Sequence, residues 1–169
     1  MNMDKSNTLT ILKNAFLIER KGKSLYEKAM DHAKDDAVKA FFKDLADDEQ
    51  EHMNILEKQF KAYMKSGKFM AGGFENDGGA VTAPDILDET LKDKINAADF
   101  EATAITAAIS FEEKAVKMYD QRSKEASDPE EKKMYHWLSV WEKTHLKKLM
   151  ALEASLIESV WHDNNFWPF

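Results

Sequence analysis

Two Glu-x-x-His pairs stand out among the residues that could bind a metal ion. They are Glu49 with His52 and Glu142 with His145. Residues three positions apart lie on the same face of a helix, so the carboxylate and the imidazole of each pair could reach one ion. None of the other three histidines has an acidic residue three positions earlier. The pattern indicates metal binding by oxygen and nitrogen donors.

An internal repeat relates the two pairs. Shifting the chain by 93 positions places Glu49 on Glu142 and His52 on His145. The same shift aligns Ala15 with Ala108, Glu19 with Glu112, Tyr26 with Tyr119, Leu45 with Leu138, and Leu56 with Leu149. One Glu-x-x-His pair in a Glu-rich chain can arise by chance, but two pairs with matched upstream residues are not explained that way. The repeat predicts one helical hairpin used twice.

The four repeated glutamates are spaced so that they can meet. Glu19 and Glu49 are 30 residues apart, as are Glu112 and Glu142, and the midpoints at 34 and 127 fall on predicted turns. A helix rises about 1.5 Å per residue. Two residues at equal distances before and after the turn of a helical hairpin therefore lie at the same height in the bundle. Four ionised carboxylates in an apolar interior would each carry a desolvation penalty of several kcal/mol. Two divalent cations would balance their charge, with neutral imidazoles as nitrogen donors.

Hydrophobic periodicity and helix-end signals define the elements that must position these residues. Apolar residues recur at spacings of three and four, which is typical of helices with one buried face. A capping Asp in the turn over 34–36, Gly67 and the Asp128–Pro129 pair mark helix ends. The predicted segments are a hairpin over 8–65 (a helix over 8–33 and a second one that follows the turn and ends at 65), a crossover over 66–96 with a short helix at 85–94, a hairpin over 97–160 (helices 97–126 and 129–160), and an aromatic tail over 161–169.

Composition limits the class of protein. The 169 residues are 43% hydrophobic and 33% charged, which predicts a single, helix-rich domain over 1–169. A net charge of -7 argues against nucleic acid as a partner. The absence of cysteine excludes thiolate metal sites and iron–sulfur clusters in this sequence. The sequence has no apolar run of membrane-spanning length and a polar N-terminus, so we expect a cytoplasmic protein without a membrane partner.

The ligand pattern, a Glu from each of two helices and Glu-x-x-His from each of the other two, resembles that of the ferritin-like di-iron superfamily. Over residues 8–160 the chain is similar to a rubrerythrin-like protein lacking the rubredoxin domain, and its ligand pattern is also similar to that of bacterioferritin. The resemblance implies an all-α, ferritin-like four-helix bundle of two helical hairpins joined by a long crossover. It also implies two iron ions, with manganese or zinc as alternative occupants. The implied ligands are Glu19, Glu49, His52, Glu112, Glu142 and His145.

Within that set, the resemblance implies that Glu49 and Glu142 bridge the two ions. It also suggests that Tyr26 and Tyr119, two turns beyond Glu19 and Glu112, hydrogen-bond to ligands. The alternative for each tyrosine is an ordinary place in the core.

The sequence departs from the common rubrerythrin pattern at two ligand positions. Ala115 and His145 stand where rubrerythrins commonly have glutamate, which weakens the expectation that iron shifts between ligands. The residue after Glu49 is Gln50, whereas bacterioferritin has its haem methionine there, so no haem is expected.

The function implied by the resemblance is an oxidoreductase, a di-iron peroxidase or oxidase that reduces peroxide or oxygen with electrons from a separate donor protein. Iron oxidation, storage or detoxification is an alternative, as is a di-iron hydroxylase, and a metal-free structural bundle ranks last. We expect a homodimer or larger homo-oligomer. The aromatic tail residues Trp161, Phe166, Trp167 and Phe169 should dock on the bundle or on a second subunit.

Overall fold

The structure is a computed structural model that describes residues 3–73 and 99–163, together with Leu91, Lys94 and Ile95. Four helices account for most of these residues. They are α1 (Met3–His32), α2 (Asp36–Ser66), α3 (Phe100–Glu125) and α4 (Pro129–Asp163). α1 packs along α2, α3 packs along α4, and α1 also contacts α3. The predicted all-α four-helix bundle of two hairpins is confirmed.

An aspartate caps the second helix of each hairpin. The Asp35 carboxylate accepts hydrogen bonds from the backbone N–H groups of Ala37 and Val38, at 2.8 and 3.4 Å. Asp128, 93 positions later, does the same for Glu130 and Glu131, at 2.8 and 3.3 Å. Each cap satisfies backbone donors that a helix start leaves open. The two turns therefore use the same device at the same position of the repeat.

Two apolar layers fill the interior, one toward each end of the bundle. The first layer, near the α1–α2 turn, includes Tyr26, Phe42, Leu45, Ile105 and Leu149. The second layer, near the α3–α4 turn, includes Leu12, Leu56, Tyr119, Tyr135 and Leu138. Every helix passes through both layers, and the repeated glutamates lie between them along the chain. The turns of the two hairpins are consequently at opposite ends of the bundle.

The described parts of the crossover lie at both ends of the bundle. Gly67 ends α2 in a left-handed conformation, with φ of 70°, which glycine adopts readily. Phe69 is buried in the second apolar layer. The Gln59 side chain donates to the Met70 carbonyl and accepts from the Met70 N–H, at 3.1 and 2.9 Å. Leu91 and Ile95 are buried in the first layer, so the described residues on either side of the gap lie at opposite ends of the bundle.

Helix ends differ from the predicted ones by more than one residue at three places. α1 begins at Met3 instead of residue 8. α3 begins at Phe100 instead of residue 97 because Asp99 is extended, with φ of -80° and ψ of 161°. α4 continues past the predicted end at 160 to Asp163, so Trp161 belongs to the helix and is 56% exposed.

Two predictions extend beyond the described residues. The short helix predicted at 85–94 includes Leu91, which is helical, but its other positions lie outside the described residues except Lys94, which is in a turn. The tail residues Phe166, Trp167 and Phe169 also lie outside them. In the part of the chain that is described, no helix combines the length and apolar character needed to cross a membrane.

The Asp128 cap allows a direct test of what holds the second hairpin together. Replacing Asp128 by Ala should lower the free energy of unfolding by roughly 0.5–2 kcal/mol, because two backbone N–H groups lose their acceptor. Asp128→Asn, which keeps an acceptor oxygen, should retain most of the stability. Chemical denaturation followed by circular dichroism measures the change, with the exposed neighbour Ser127→Ala as the matched control. Equal stabilities for Asp128→Ala and Ser127→Ala would contradict the capping role.

Candidate metal centre

Six carboxylate and imidazole side chains meet between the two apolar layers. Each is at most 3% exposed. The helices contribute them in the order that the repeat predicts: Glu19 from α1, Glu49 and His52 from α2, Glu112 from α3, and Glu142 and His145 from α4. Equal spacing to the two turns brings all of them to one level, and no residue of the predicted ligand set lies elsewhere.

The six side chains form two overlapping groups of four. One group contains Glu19, Glu49, His52 and Glu142, and the other contains Glu49, Glu112, Glu142 and His145. Within each group, one potential ligand atom per residue lies within 4.8 Å of the others. Glu49 and Glu142 belong to both groups. This sharing is the geometry that a bridging role for these two carboxylates requires.

Both histidines present Nδ1 to the carboxylates. Nδ1 of His52 is 2.9 Å from Glu142 Oε1 and 3.2 Å from Glu19 Oε2. Nδ1 of His145 is 3.2 Å from Glu142 Oε2 and 3.6 Å from Glu112 Oε1. Each group therefore has one nitrogen donor and three carboxylates arranged around a common space.

Several polar atoms of these six side chains are buried and make no hydrogen bond of good geometry to a described residue. Besides His52 Nε2, which is on the side of its ring away from the carboxylates, they are Glu49 Oε2, both carboxylate oxygens of Glu142, and Nδ1 of His145. A buried polar atom left without a partner costs about 1–3 kcal/mol, and more when it is charged. A cation coordinated by these atoms would remove that cost. The unsatisfied atoms, together with a donor set of carboxylates and imidazoles, fit divalent iron, manganese or zinc.

Without a bound cation, protons on some of the six side chains offset part of the negative charge of the cluster. Burial raises the pKa of Glu19 and of Glu112 well above the ordinary value, and Glu142 adds to the effect. Burial lowers the pKa of His52 and His145, but the carboxylates more than offset it, so both pKa values are raised. The pKa of Glu142 is lowered, because the two histidines outweigh its own burial. Hydrogen bonds to Glu19, His145 and His52 outweigh burial at Glu49 as well, so its pKa is also lowered. The cluster thus favours ionised Glu49 and Glu142 beside protonated outer glutamates and histidines.

Each repeated tyrosine hydrogen-bonds to a glutamate of the opposite hairpin. Tyr26 donates to Glu112 Oε1, and Tyr119 donates to Glu19 Oε1. Both tyrosines are buried in the apolar layers. Glu19 and Glu112 each belong to only one of the two groups and are called the outer glutamates below. Each tyrosine hydroxyl holds one oxygen of an outer glutamate, and the other oxygen of Glu19 faces His52. Packing in the core and hydrogen bonding to the site, which were alternatives at the level of sequence, therefore occur together.

Sequence reasoning missed Asp48 as a partner of the site. Its Oδ2 atom is 3.0 Å from Nε2 of His145, on the side of the ring away from the cluster. The His145 contact and the neighbouring Trp141 side chain outweigh the effect of burial on Asp48, so the pKa of its carboxyl is lowered. Asp48 has no acidic counterpart in the repeat, since the position 93 residues later is Trp141. In the sequence, the indication of this role is that Asp48 directly precedes the predicted ligand Glu49.

Gly22 is the second residue whose role depends on the three-dimensional structure. A Cβ atom at this position would lie 3.2 Å from Glu49 Oε1 and 3.3 Å from Glu49 Cδ. Such contacts are tight for a buried side chain in a packed interior. Glycine in the middle of α1 therefore leaves the space that the Glu49 carboxylate occupies, although glycine is a poor helix former.

Comparison with known proteins agrees with this arrangement. A family model described as rubrerythrin matches residues 10–153. Among solved structures, the chain is similar to a two-domain protein of Anabaena variabilis with DJ-1/ThiJ/PfpI-like and ferritin-like domains. The TM-score is 0.51 at 17% sequence identity, and the match covers 98% of this chain and 40% of that one, which shows the fold alone. No curated protein matches the sequence.

The family match spans most of the chain and includes all six clustered residues. Rubrerythrin-type helices and a buried carboxylate–histidine cluster together indicate a metal-binding site. This chain therefore belongs to the rubrerythrin family.

Proposed function

We propose that this protein is a di-iron oxidoreductase that reduces peroxide or oxygen. The observation that carries the proposal is the pair of overlapping groups that share Glu49 and Glu142. Two ion positions that share two carboxylates are close together, so both ions can act on one small molecule. Membership in the rubrerythrin family supports the same reading.

The charge of the site supports two divalent ions. Four carboxylates carry -4 when ionised, and two divalent ions carry +4. Ferrous ions would supply electrons and open coordination positions, which the histidines and carboxylates leave available because they provide few donors per ion. The remaining coordination would be completed by the small-molecule substrate or by water.

The protein itself would orient ligands and supply protons. Reduction of hydrogen peroxide to two water molecules consumes two electrons and two protons. Tyr119 Oη carries a proton at Glu19 Oε1, and Tyr26 Oη carries one at Glu112 Oε1. These hydroxyls lie at the edge of the cluster, inside the apolar layers that exclude bulk water. They are therefore suited to hold the outer carboxylates in place and to relay protons to the reaction.

Electrons would come from a separate donor protein. The 169 residues contain no cysteine, so they cannot form the four-cysteine iron site of a rubredoxin segment. An alternative within the same chemistry is ferrous iron as the substrate, oxidised at the site and stored. The two functions differ in whether iron accumulates or electrons are consumed repeatedly.

Shared and unshared ligands should differ in their effect on metal content. The wild-type protein should bind two ferrous ions per chain under anaerobic conditions. Glu142→Ala should lose both, because Glu142 belongs to both groups, whereas Glu19→Ala should retain one. Elemental analysis after gel filtration measures the content, with the exposed neighbour Glu113→Ala as control. Unchanged metal content in Glu142→Ala would contradict the site.

Reactivity distinguishes an enzyme from a store. Ferrous-loaded protein mixed with hydrogen peroxide or oxygen in a stopped-flow instrument should be oxidised rapidly, and Glu142→Ala should not. With a chemical reductant present, an enzyme should consume many equivalents of oxidant per chain at constant bound iron. Iron accumulating beyond two ions per chain would instead favour storage. Bound ferrous iron that reacts with neither oxidant would contradict the proposal of an oxidoreductase.

Metal affinity should increase with pH into the neutral range. The pKa values of Glu19, Glu112, His52 and His145 are raised in the absence of an ion, so an ion must displace protons from them. The dissociation constant for Co²⁺ should therefore keep falling above pH 6.5, the ordinary histidine pKa. Calorimetry in buffers of different ionisation enthalpy measures the protons released. Constant affinity above that pH with no proton release would show this account to be wrong.

A further inference from the structure

The two halves of the site match closely in their ligands. Each half contributes one outer glutamate, one shared glutamate and one histidine, related by the shift of 93 positions. The tyrosine contacts also match, since Tyr26 donates to Glu112 and Tyr119 donates to Glu19. These groups alone would make the two ion positions equivalent.

The symmetry is broken behind the histidine rings. His145 Nε2 is 3.0 Å from Asp48 Oδ2, in the turn of α2 next to Glu49. In the repeat, His52 corresponds to His145, and the position that corresponds to Asp48 is Trp141. His52 therefore has a tryptophan where His145 has an aspartate. His52 Nε2 has no hydrogen-bond partner within the described ranges. Instead, the rings of Trp141 and Trp137 meet the His52 ring nearly edge-on, with centroids at 5.4 and 5.7 Å.

Asp48 is held in place as an acceptor. Its Oδ2 atom lies 3.0 Å from His145 Nε2, within hydrogen-bonding distance, and the ring of His145 is fully buried. A carboxylate that accepts a hydrogen bond from Nε2 requires the imidazole proton to be on Nε2. The lone pair of Nδ1 is then directed at the cluster. The Asp48 contact therefore fixes both the tautomer and the orientation of His145.

His52 lacks this support. Its Nδ1 faces the carboxylates, so coordination of an ion would leave the proton on Nε2, among indole rings and without an acceptor in the described residues. A buried N–H group without an acceptor costs about 1–3 kcal/mol. Coordination by His52 thus carries a cost that coordination by His145 does not.

We propose that the two ion positions are inequivalent and that Asp48 sets the difference. The position completed by His145 binds its ion more tightly and fills first, and the position completed by His52 is the weaker, exchangeable one. Asp48 is a positioning residue, because it acts through His145. The inference rests on the proposed di-metal function and adds to it an order of loading.

Another break in the symmetry does not account for the same difference. Gly22 corresponds to Ala115 in the repeat. Neither side chain has a polar atom, and Gly22 adjoins Glu49, which both positions share. The contact of Gly22 with a shared ligand therefore does not distinguish the two positions, whereas Asp48 contacts the histidine of one position.

Half-site variants test the proposal in the metal-free, 169-residue chain with Co²⁺ as the probe. His52→Ala leaves the His145 position intact, and His145→Ala leaves the His52 position intact. Optical titration of the Co²⁺ absorption bands gives a dissociation constant for each. Asp48→Asn is then added to both backgrounds, with the exposed neighbour Asp47→Asn as the matched control.

His52→Ala should bind Co²⁺ roughly 10–100-fold more tightly than His145→Ala. Asp48→Asn should weaken binding by roughly the same factor in the His52→Ala background and by less than about twofold in the other. Equal affinities in the two half-site variants, or equal weakening by Asp48→Asn in both, would overturn the proposal.

A second measurement does not depend on the histidine variants remaining folded. Wild-type protein should bind two Co²⁺ ions in two resolved steps, and the single variant Asp48→Asn should merge them by weakening the first. Two resolved steps of unchanged affinity in Asp48→Asn would also overturn the proposal. Failure of the wild-type protein to bind two ions would instead overturn the proposed function, which separates the two outcomes.

Discussion

The structure depends on the cost of placing four carboxylates and two imidazoles in an apolar interior. Each ionised group would be destabilising there alone, and only mutual compensation, by protons or by cations, makes the arrangement stable. The two apolar layers on either side keep water away from the cluster. That exclusion strengthens every interaction within it. The helices, their turns and the matched tyrosines can all be understood as means of bringing these charges to one level.

The sequence alone predicts the cluster because it depends on regular geometry. Glu49 and His52 share a helix face whatever the surrounding structure, and the distances from Glu19 and Glu49 to their common turn are equal. The Asp35 and Asp128 caps, which keep both turns in register, are also local signals. Helix ends at Met3, Phe100 and Asp163 were harder to place, because ends without a strong local stop depend on backbone conformation and packing.

The features that the sequence does not predict are contacts between hairpins without a fixed spacing. Asp48 meets His145 across 97 residues. Its importance appears only when α2 and α4 are placed side by side. The same holds for Gly22, whose missing Cβ matters because the Glu49 carboxylate approaches α1 at that point. Periodicity identifies which face of a helix is buried, but it does not identify which neighbour a particular side chain meets there.

Joining the two hairpins in one chain has a consequence for how the site can evolve. A single hairpin paired with a second copy of itself could close a cluster of the same composition, but any substitution would appear on both sides of the twofold axis. An aspartate behind one histidine would then require an aspartate behind the other. Once both hairpins are encoded in tandem, each can mutate alone, and Asp48 and Trp141 can occupy the two equivalent positions. Covalent linkage thereby permits two adjacent ion positions to specialise.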